Sequence, residues 1–184
     1  FGFDIHGGGL DLVFPHHENE IAQAEAAAGA SPFVRFWLHN GMVNLRGEKM
    51  AKSTGNVVSL LDLLDRYPPL AVRLFYLRAQ YRAPLDYFEE ALADSAASLE
   101  RLWAFRRRAG QAGTAAAGDV ARFAEAMDDD FNPAGALGVL FDLVREGHRR
   151  LDEGKDAGDQ AAAYDIIVGV LGLAEEVSDL DDLA

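Results

Sequence analysis

Hydrophobic residues follow two different spacings along the chain, and the spacing changes near Ser59. Before Ser59, apolar residues alternate with polar ones or form short blocks, which predicts strands at 1–6, 34–38 and 42–45. The first strand is expected to be buried, and residues 16–28 between the first two strands are expected to be helical. A strand, a helix and a strand in this order indicate part of a parallel α/β sheet.

After Ser59, apolar residues recur with the period of a helix, and proline and glycine separate the segments. Asp86 is expected to cap the longest helix, and Asp130 or Asn132 is expected to cap a later one. The predicted helices cover 60–64, 70–80, 86–108, 119–127, 133–151 and 160–173. The sequence therefore predicts an α/β part followed by an all-α part.

Composition is compatible with a buried core, because 49% of the 184 residues are hydrophobic. No apolar run approaches the roughly 20 residues needed to cross a bilayer, which predicts a cytoplasmic protein without a membrane partner. The chain contains no cysteine, so a disulfide framework is excluded. Because Phe1 enters a strand without a preceding methionine, cap or turn, we expect the chain to be part of a longer protein.

The net charge of −13 is unevenly distributed. Residues 1–34 carry five acids and no Lys or Arg, whereas residues 35–82 carry eight Lys or Arg against three acids. Phosphate binding requires local positive potential, so a polyanionic partner is expected to meet this middle segment first.

The segment PHHENE offers candidate metal ligands. His16 and Glu20 are four residues apart and share one helix face, and His17 is three residues from Glu20. Imidazole and carboxylate groups bind zinc, but the metal usually takes four ligands, so this helix supplies half of a site. The alternative is that these residues only cap the helix. His6 and His39 are expected to be hydrogen-bonded groups near strand ends.

A second candidate site is the segment KMAKS. Lys49 and Lys52 are three residues apart, and Gly47 and Gly55 flank them. Two ammonium groups on a loop that can close are suited to stabilising charge that develops on a leaving pyrophosphate. The alternative is an exposed turn.

The glycine triplet GGG with the acid that follows it is a third candidate. Gly7, Gly8 and Gly9 allow a sharp turn or a close approach to a ligand, and Asp11 could reach a ribose hydroxyl.

The motifs DIHGGGLDL, FPHHENE, HNGM and GEKMAKSTGN, followed by MDDDFN, occur in an order that closely resembles cysteinyl-tRNA synthetase. The resemblance runs from Phe3 to about Leu173. KMAKS matches the KMSKS signature loop of class I synthetases, with Ala51 in place of the central serine. Both lysines are retained, so we expect the loop to keep the function of the signature loop.

The resemblance implies ATP-dependent ligation of cysteine to tRNA(Cys) through cysteinyl-adenylate. ATP, bound to Mg, would be a substrate. It implies a zinc ion with four protein ligands, namely His16, Glu20 and two cysteines. This zinc ion would bind the thiolate of the substrate. Both cysteines would lie upstream of Phe1, together with the HIGH signature and the amino-terminal half of the catalytic domain. The isolated chain is therefore expected to be inactive.

The resemblance also assigns the ATP site. Lys52 would bind ATP and Lys49 would assist at the phosphates. The Gly7–Gly9 turn and Asp11 would line the adenosine pocket.

The implied architecture has three parts. Residues 1–45 would form the carboxyl-terminal part of a Rossmann-like catalytic domain, 46–82 the KMSKS loop with connecting helices, and 83–184 a helical bundle on the tRNA-binding side.

Two alternatives remain open at this point. The cysteine ligase of mycothiol synthesis shares the fold, the zinc and the adenylate, but its pattern departs from ENE and HNGM. A non-catalytic tRNA-binding helical module is the other alternative, with arginines on two helices that could contact phosphates. These arginines are Arg101, Arg106, Arg107, Arg108, Arg145, Arg149 and Arg150. The simpler interpretation of each arginine is a solvated helix face.

Overall fold

The computed structural model describes residues 2–45, 47–49 and 58–175, without the side chains of Glu48 and Lys49. The strands are β1 (Phe3–Gly9), β2 (Val34–Asn40), β3 (Val43–Leu45), β4 (Glu48–Lys49) and β5 (Leu85–Tyr87). The helices are α1 (Glu18–Ala28), α2 (Leu60–Leu64), α3 (Pro69–Leu77), α4 (Glu89–Ala109), α5 (Ala117–Asp128), α6 (Pro133–Asp152) and α7 (Gly158–Leu171).

The chain divides into two compact units, which confirms the predicted change from α/β to all-α structure. An α/β unit comprises Phe1–Val57 and Ala79–Phe88, and a helical unit comprises Val58–Arg78 and Glu89–Ala184. The predicted segments 1–45, 46–82 and 83–184 divide the chain by expected function and not by compactness. They stay a prediction.

The first sheet of the α/β unit pairs β1 with β2 in parallel, as predicted. Gly7 is opposite Leu38 and Gly9 is opposite Asn40. The connection runs through a short 3-10 turn (Leu10–Leu12), a π-type segment (Val13–His17) and α1, which ends at Gly29 with a φ of +62°.

Two predictions about β1 are wrong. The strand is not buried, because Phe3 and Ile5 are each 59% exposed. Alternation shows which side chains share a face, but it does not show whether anything covers that face. Gly7–Gly9 is not a turn either, because all three glycines continue β1 and pair with β2.

The second sheet has β3 at its centre. β4 pairs with β3 in antiparallel orientation and β5 pairs with it in parallel orientation. Gly47, with a φ of +82°, allows the return from β3 to β4 where the sequence predicts only a loop. Asp86 does not cap a helix as predicted, because it pairs with Asn44 within β5.

Gly41 is required for the chain to pass close to the segment before β5. Its N–H donates to the Tyr81 carbonyl at 2.7 Å, and a Cβ atom there would lie 2.2 Å from the Ala83 carbonyl oxygen. We expect Gly41→Ala to destabilise the α/β unit by about 1–3 kcal/mol, because backbone must move to relieve the overlap.

Amide hydrogen exchange at Leu85, whose N–H donates to the Met42 carbonyl, measures this effect locally. Gly138→Ala is the matched control, because a Cβ atom at Gly138 would meet nothing within 4 Å. Unchanged protection at Leu85 in Gly41→Ala would contradict the prediction.

The helical unit is built around a continuous apolar core from α3, α4, α5, α6 and α7. Phe105, Leu140 and Ile167 are fully buried in it. Asn132 caps α6 as one of the two predicted candidates, because its side-chain oxygen accepts a hydrogen bond from the Gly135 N–H at 2.9 Å. Within the described ranges, no helix combines the length and the apolar content that a membrane crossing needs.

Candidate functional site

Four histidines and one glutamate converge in the α/β unit. His6 comes from β1, His16 and His17 come from the π-type segment, Glu20 comes from the first turn of α1, and His39 comes from β2. The parallel pairing of β1 with β2 places His6 beside Trp37 and Gly8 beside His39. Residues that are 33 positions apart in the sequence are thereby brought to one place.

The Glu20 carboxylate lies between two of these histidines. His16 Nε2 is 3.7 Å from Glu20 Oε1, and His6 Nε2 is 3.2 Å from Glu20 Oε2. The predicted proximity of His16 and Glu20 is therefore confirmed, whereas their role as metal ligands stays a prediction. The side chain of His16 is 59% exposed, so this imidazole is on the outer side of the carboxylate.

The inner oxygen of Glu20 is in an unusual position. Oε2 is buried, and it has no hydrogen-bond partner among residues 2–45, 47–49 and 58–175. His6 Nε2 is near enough to pair with it, but the two atoms do not have hydrogen-bond geometry. A buried carboxylate oxygen without a hydrogen bond is unfavourable, so this atom is a candidate contact for a ligand.

His17 is the buried member of the cluster, with 3% exposure. Its Nδ1 is 2.9 Å from His39 Nε2, which leaves the other ring nitrogen for a different partner. Burial, followed by the neighbouring His39 and His6 rings, lowers the pKa of the His17 imidazole below its ordinary value, whereas Glu20 opposes this shift. His17 is therefore neutral near pH 7, which is the form that can bind a metal ion.

Trp37 packs against the rings of this cluster. Its ring centroid is 4.8 Å from that of His6 and 4.9 Å from that of His17. It also stacks on the His39 ring, with an angle of 5° between the two ring planes. From the sequence, His6 and His39 were predicted only to be hydrogen-bonded groups near strand ends. The alternation of Trp37 and His39 on one strand face was the available signal, but it required the register with β1.

Three members of the cluster form a compact set of possible metal ligands. Ligand atoms of His6, His17 and Glu20 all lie within 4.8 Å of one another. His16, which the sequence analysis selected, is outside this set, although it contacts Glu20.

The glycine triplet adjoins the cluster. A Cβ atom at Gly8 would lie 2.8 Å from His17 Cε1, and one at Gly9 would lie 2.5 Å from Asp11 Oδ1. The predicted close approach is therefore made by the chain's own side chains. The adenosine-binding role of Gly7, Gly8, Gly9 and Asp11 stays a prediction.

Of the two lysines of KMAKS, the structure describes only the backbone of Lys49. Lys49 ends β4, where it pairs with Asn44 of β3. Lys52 is outside the described residues. The catalytic roles of both lysines therefore stay predictions.

Two family models match the chain. The model described as the tRNA synthetases class I (C) catalytic domain matches residues 2–97. The model described as the DALR domain matches residues 122–175, within the helical unit.

Curated relatives cover most of the chain. It is 48% identical to the cysteine–tRNA ligase of Geobacter metallireducens over 87% of the chain, and 50% identical to that of Geobacter sulfurreducens over 93%. It is also 50% identical to the cysteine–tRNA ligase of Alkalilimnicola ehrlichii over 95% of the chain. The chain spans 36%, 39% and 38% of the lengths of these three relatives.

One solved structure supports the fold independently. The ternary complex of Agrobacterium radiobacter K84 agnB2 LeuRS with tRNA and LeuAMS matches 92% of this chain and 26% of that chain, with a TM-score of 0.71. The identity is 18%, so this likeness concerns the fold alone.

Proposed function

Because the chain belongs to the family of class I (C) tRNA synthetase catalytic domains, we propose that it is part of an enzyme that ligates cysteine to tRNA(Cys) with ATP. The observation that carries this proposal is 48–50% identity to cysteine–tRNA ligases over 87–95% of the chain. The reaction would pass through cysteinyl-adenylate, and tRNA(Cys), cysteine and ATP would be the substrates. A cytoplasmic location stays a prediction.

The residues at the cluster fit half of a zinc site. Two ligands on a tetrahedral zinc ion, each at about 2.0–2.1 Å, are roughly 3.3 Å apart. His16 Nε2 and Glu20 Oε1 are 3.7 Å apart, so a small side-chain movement would place both on one ion. Two cysteines outside this chain would complete the set. When bound, zinc would favour the thiolate of cysteine over the hydroxyl of serine, because it prefers sulfur ligands.

The chain's own groups would bind and orient ATP. Lys52, assisted by Lys49, would contact the phosphates and stabilise the charge that develops on the leaving pyrophosphate. Asp11 and the close-packed end of β1 at Gly7–Gly9 would line the adenosine pocket. Lys49 lies in β4, which pairs with β3, so the backbone at the start of this segment is held in a sheet.

The alternative of a helical tRNA-binding module is not favoured. Its arginines are engaged within the helical unit: Arg106 with Asp165, Arg107 with Glu175, and Arg108 with Asp152. Arg145 and Arg149 pair with acids of their own helix. Arg101 donates to Ser98, and Arg150 donates to the Asp156 carbonyl. These contacts support a solvated helix face on which each of these arginines already has a partner within the helical unit.

The acceptor distinguishes the proposal from the cysteine ligase of mycothiol synthesis. The names of the relatives favour tRNA. Supplying the full-length parent protein with tRNA(Cys) or with the glucosaminyl-inositol acceptor decides the matter, and we expect cysteinylation of tRNA alone. Transfer to the amino-sugar alone would overturn the proposal.

The isolated 184-residue chain should show no cysteine-dependent ATP–pyrophosphate exchange, because it offers only two of the four proposed zinc ligands. The full-length parent protein should exchange with cysteine and not with serine. Both proteins are assayed at equal concentration with added zinc. Exchange by the isolated chain would contradict this prediction, and failure of the parent to exchange with cysteine would overturn the proposed function.

A further inference from the structure

We propose that a cleft in the helical unit binds a small, uncharged aromatic molecule that carries a carbonyl oxygen or a similar hydrogen-bond acceptor. The cleft has a volume of about 250 Å³ and lies between α4, α7 and the segment that follows α7. Trp103 and Arg106 of α4 line it, together with Tyr164, Asp165 and Val168 of α7. All of these residues belong to the helical unit, so the inference does not rest on the proposed function.

The hydroxyl group of Tyr164 is the reason to expect a ligand in this cleft. Tyr164 is 2% exposed, and its hydroxyl oxygen is buried without a hydrogen-bond partner among the residues that the structure describes. A buried hydroxyl that makes no hydrogen bond lowers the stability of the folded chain. The acceptor oxygen of a ligand would supply the missing bond.

The electrostatic surroundings of this hydroxyl locate it on the side of the cleft. Burial raises the pKa of the Tyr164 hydroxyl above its ordinary value, and the negative charges of Asp165 and Glu175 raise it further. Arg106 and Arg107 have the opposite effect. Three of these four charged residues also line the cleft. Because the raised pKa keeps the hydroxyl protonated at neutral pH, the group can donate a hydrogen bond to a ligand.

The charged groups around the cleft are already paired, which indicates an uncharged ligand. Arg106 Nε donates to Asp165 Oδ1 at 2.6 Å, and Arg106 Nη1 donates to the Gly110 carbonyl at 2.8 Å. Glu175 is paired with Arg107. A charged ligand would have to break one of these pairs or remain without a counter-charge in a partly buried place, and both are unfavourable.

The remaining walls of the cleft indicate that the ligand is a single ring. Trp103 is half-buried, and its indole N–H donates to the Leu173 carbonyl at 3.0 Å, so the ring is the part left for a ligand. Val168 and Ala174 add apolar surface. A cavity of roughly 150 Å³ holds benzene, so the larger cleft suits one substituted ring. Because the Tyr164 hydroxyl is itself buried, we expect Trp103 to shift when a ligand enters.

Acetophenone is the test ligand, because it combines one ring with one carbonyl oxygen and no charge. α-Methylstyrene has the same shape with a methylene group in place of the oxygen, and benzoate is similar in size but anionic. NMR follows the indole N–H signals of Trp103 and Trp37 during titration of the 184-residue chain. Acetophenone should shift only the Trp103 signal, with a Kd of about 1 mM. α-Methylstyrene should bind about five-fold more weakly, which corresponds to one hydrogen bond, and benzoate should cause no shift.

The variants separate the hydrogen bond from the shape of the cleft. Tyr164→Phe removes only the hydroxyl, so acetophenone and α-methylstyrene should then bind within about two-fold of each other. Tyr76→Phe is the matched control, because Tyr76 is 47% exposed on α3 and the preference for acetophenone should remain. Ala174→Phe narrows the cleft and should weaken both ligands at least about ten-fold. Thermal unfolding without ligand verifies folding, and Tyr164→Phe should be no less stable than the unchanged chain, because the lost hydroxyl had no partner.

Three outcomes would overturn the inference. The first is no shift of the Trp103 signal at about 10 mM acetophenone, well above the expected Kd. The second is a preference for acetophenone that is absent from the unchanged chain or that persists in Tyr164→Phe. The third comes from saturation-transfer NMR on the full-length parent protein. An acetophenone signal that is absent, or that Tyr164→Phe leaves unchanged, would show that another part of the parent covers the cleft. None of these outcomes depends on aminoacylation, so failure here is distinguishable from failure of the proposed function.

Discussion

Phe105→Ala should lower the free energy of unfolding of the helical unit by about 3–5 kcal/mol, because it removes a fully buried ring from the core. The Phe105 ring packs edge-on against Tyr164, with centroids 5.7 Å apart, and against His148 at 5.4 Å. Gly147 closes a third side, where a Cβ atom would lie 2.3 Å from the ring. Because the backbone at Gly147 closes one side and two rings close the others, the cavity has little scope to collapse.

Urea unfolding monitored by circular dichroism measures this effect. A loss of this size is a large part of the 5–15 kcal/mol that stabilises a typical domain. Val170→Ala is the control, because Val170 is 61% exposed on α7 and should change the free energy of unfolding by less than about 0.5 kcal/mol. Phe105→Ala within 1 kcal/mol of the unchanged chain would contradict the prediction.

A double-mutant cycle provides a sharper test of the same packing. Gly147→Ala alone should be destabilising, because its Cβ atom overlaps the Phe105 ring. In the Phe105→Ala background the overlap is gone, so the added methyl group should cost less or fill part of the cavity. The two changes should therefore be non-additive, whereas strict additivity would show that the ring and Gly147 do not meet.

The sequence predicted the helical unit well because the information there is local. The 3.6-residue period, Asn132 and Pro133 located the start of α6 without knowledge of the rest of the chain. The α/β unit was predicted less well, because its decisive contacts are distant in sequence. Asp86 had the local character of a helix cap, but the hydrogen bonds between β3 and β5 place it in a strand.

The candidate site shows the same division. His16 and Glu20 could be paired from their spacing, since residues four apart on a helix are neighbours. His6, His39 and Trp37 meet only because β1 pairs with β2 in one register, which a single sequence does not show. Register therefore determines the part of the site that the sequence analysis missed, and the inner oxygen of Glu20 was not recognisable without it.

The positive charge of residues 35–82 is partly committed within the chain. Arg35 pairs with Asp4, Arg66 pairs with Glu89, and Arg73 donates to the Leu171 carbonyl at 2.7 Å. An arginine held in this way gains less from binding a phosphate, because the existing contact must first be lost. These three arginines are therefore weaker candidates for contacting ATP than their charge alone suggests.

Lys52→Ala in the full-length parent protein should lower kcat for cysteine-dependent ATP–pyrophosphate exchange by about 100–1,000-fold. Removing one group that stabilises developing charge commonly costs this much, or about 2.7–4 kcal/mol. The loss should fall on kcat more than on KM for ATP, since negative charge on the leaving pyrophosphate increases in the transition state. Lys49→Ala should have a smaller effect, because Lys49 is proposed to assist.

A lysine far from KMAKS in the sequence provides the control for Lys52→Ala. Lys155→Ala removes an ammonium group that lies 2.6 Å from Glu153 in the helical unit, so it changes the net charge equally and should leave exchange unchanged. Lys52→Arg keeps the charge but not its compact geometry, so it should recover part of the rate. If Lys52→Ala raised KM for ATP while kcat stayed constant, Lys52 would bind ground state and transition state equally. Its role would then be confined to holding ATP.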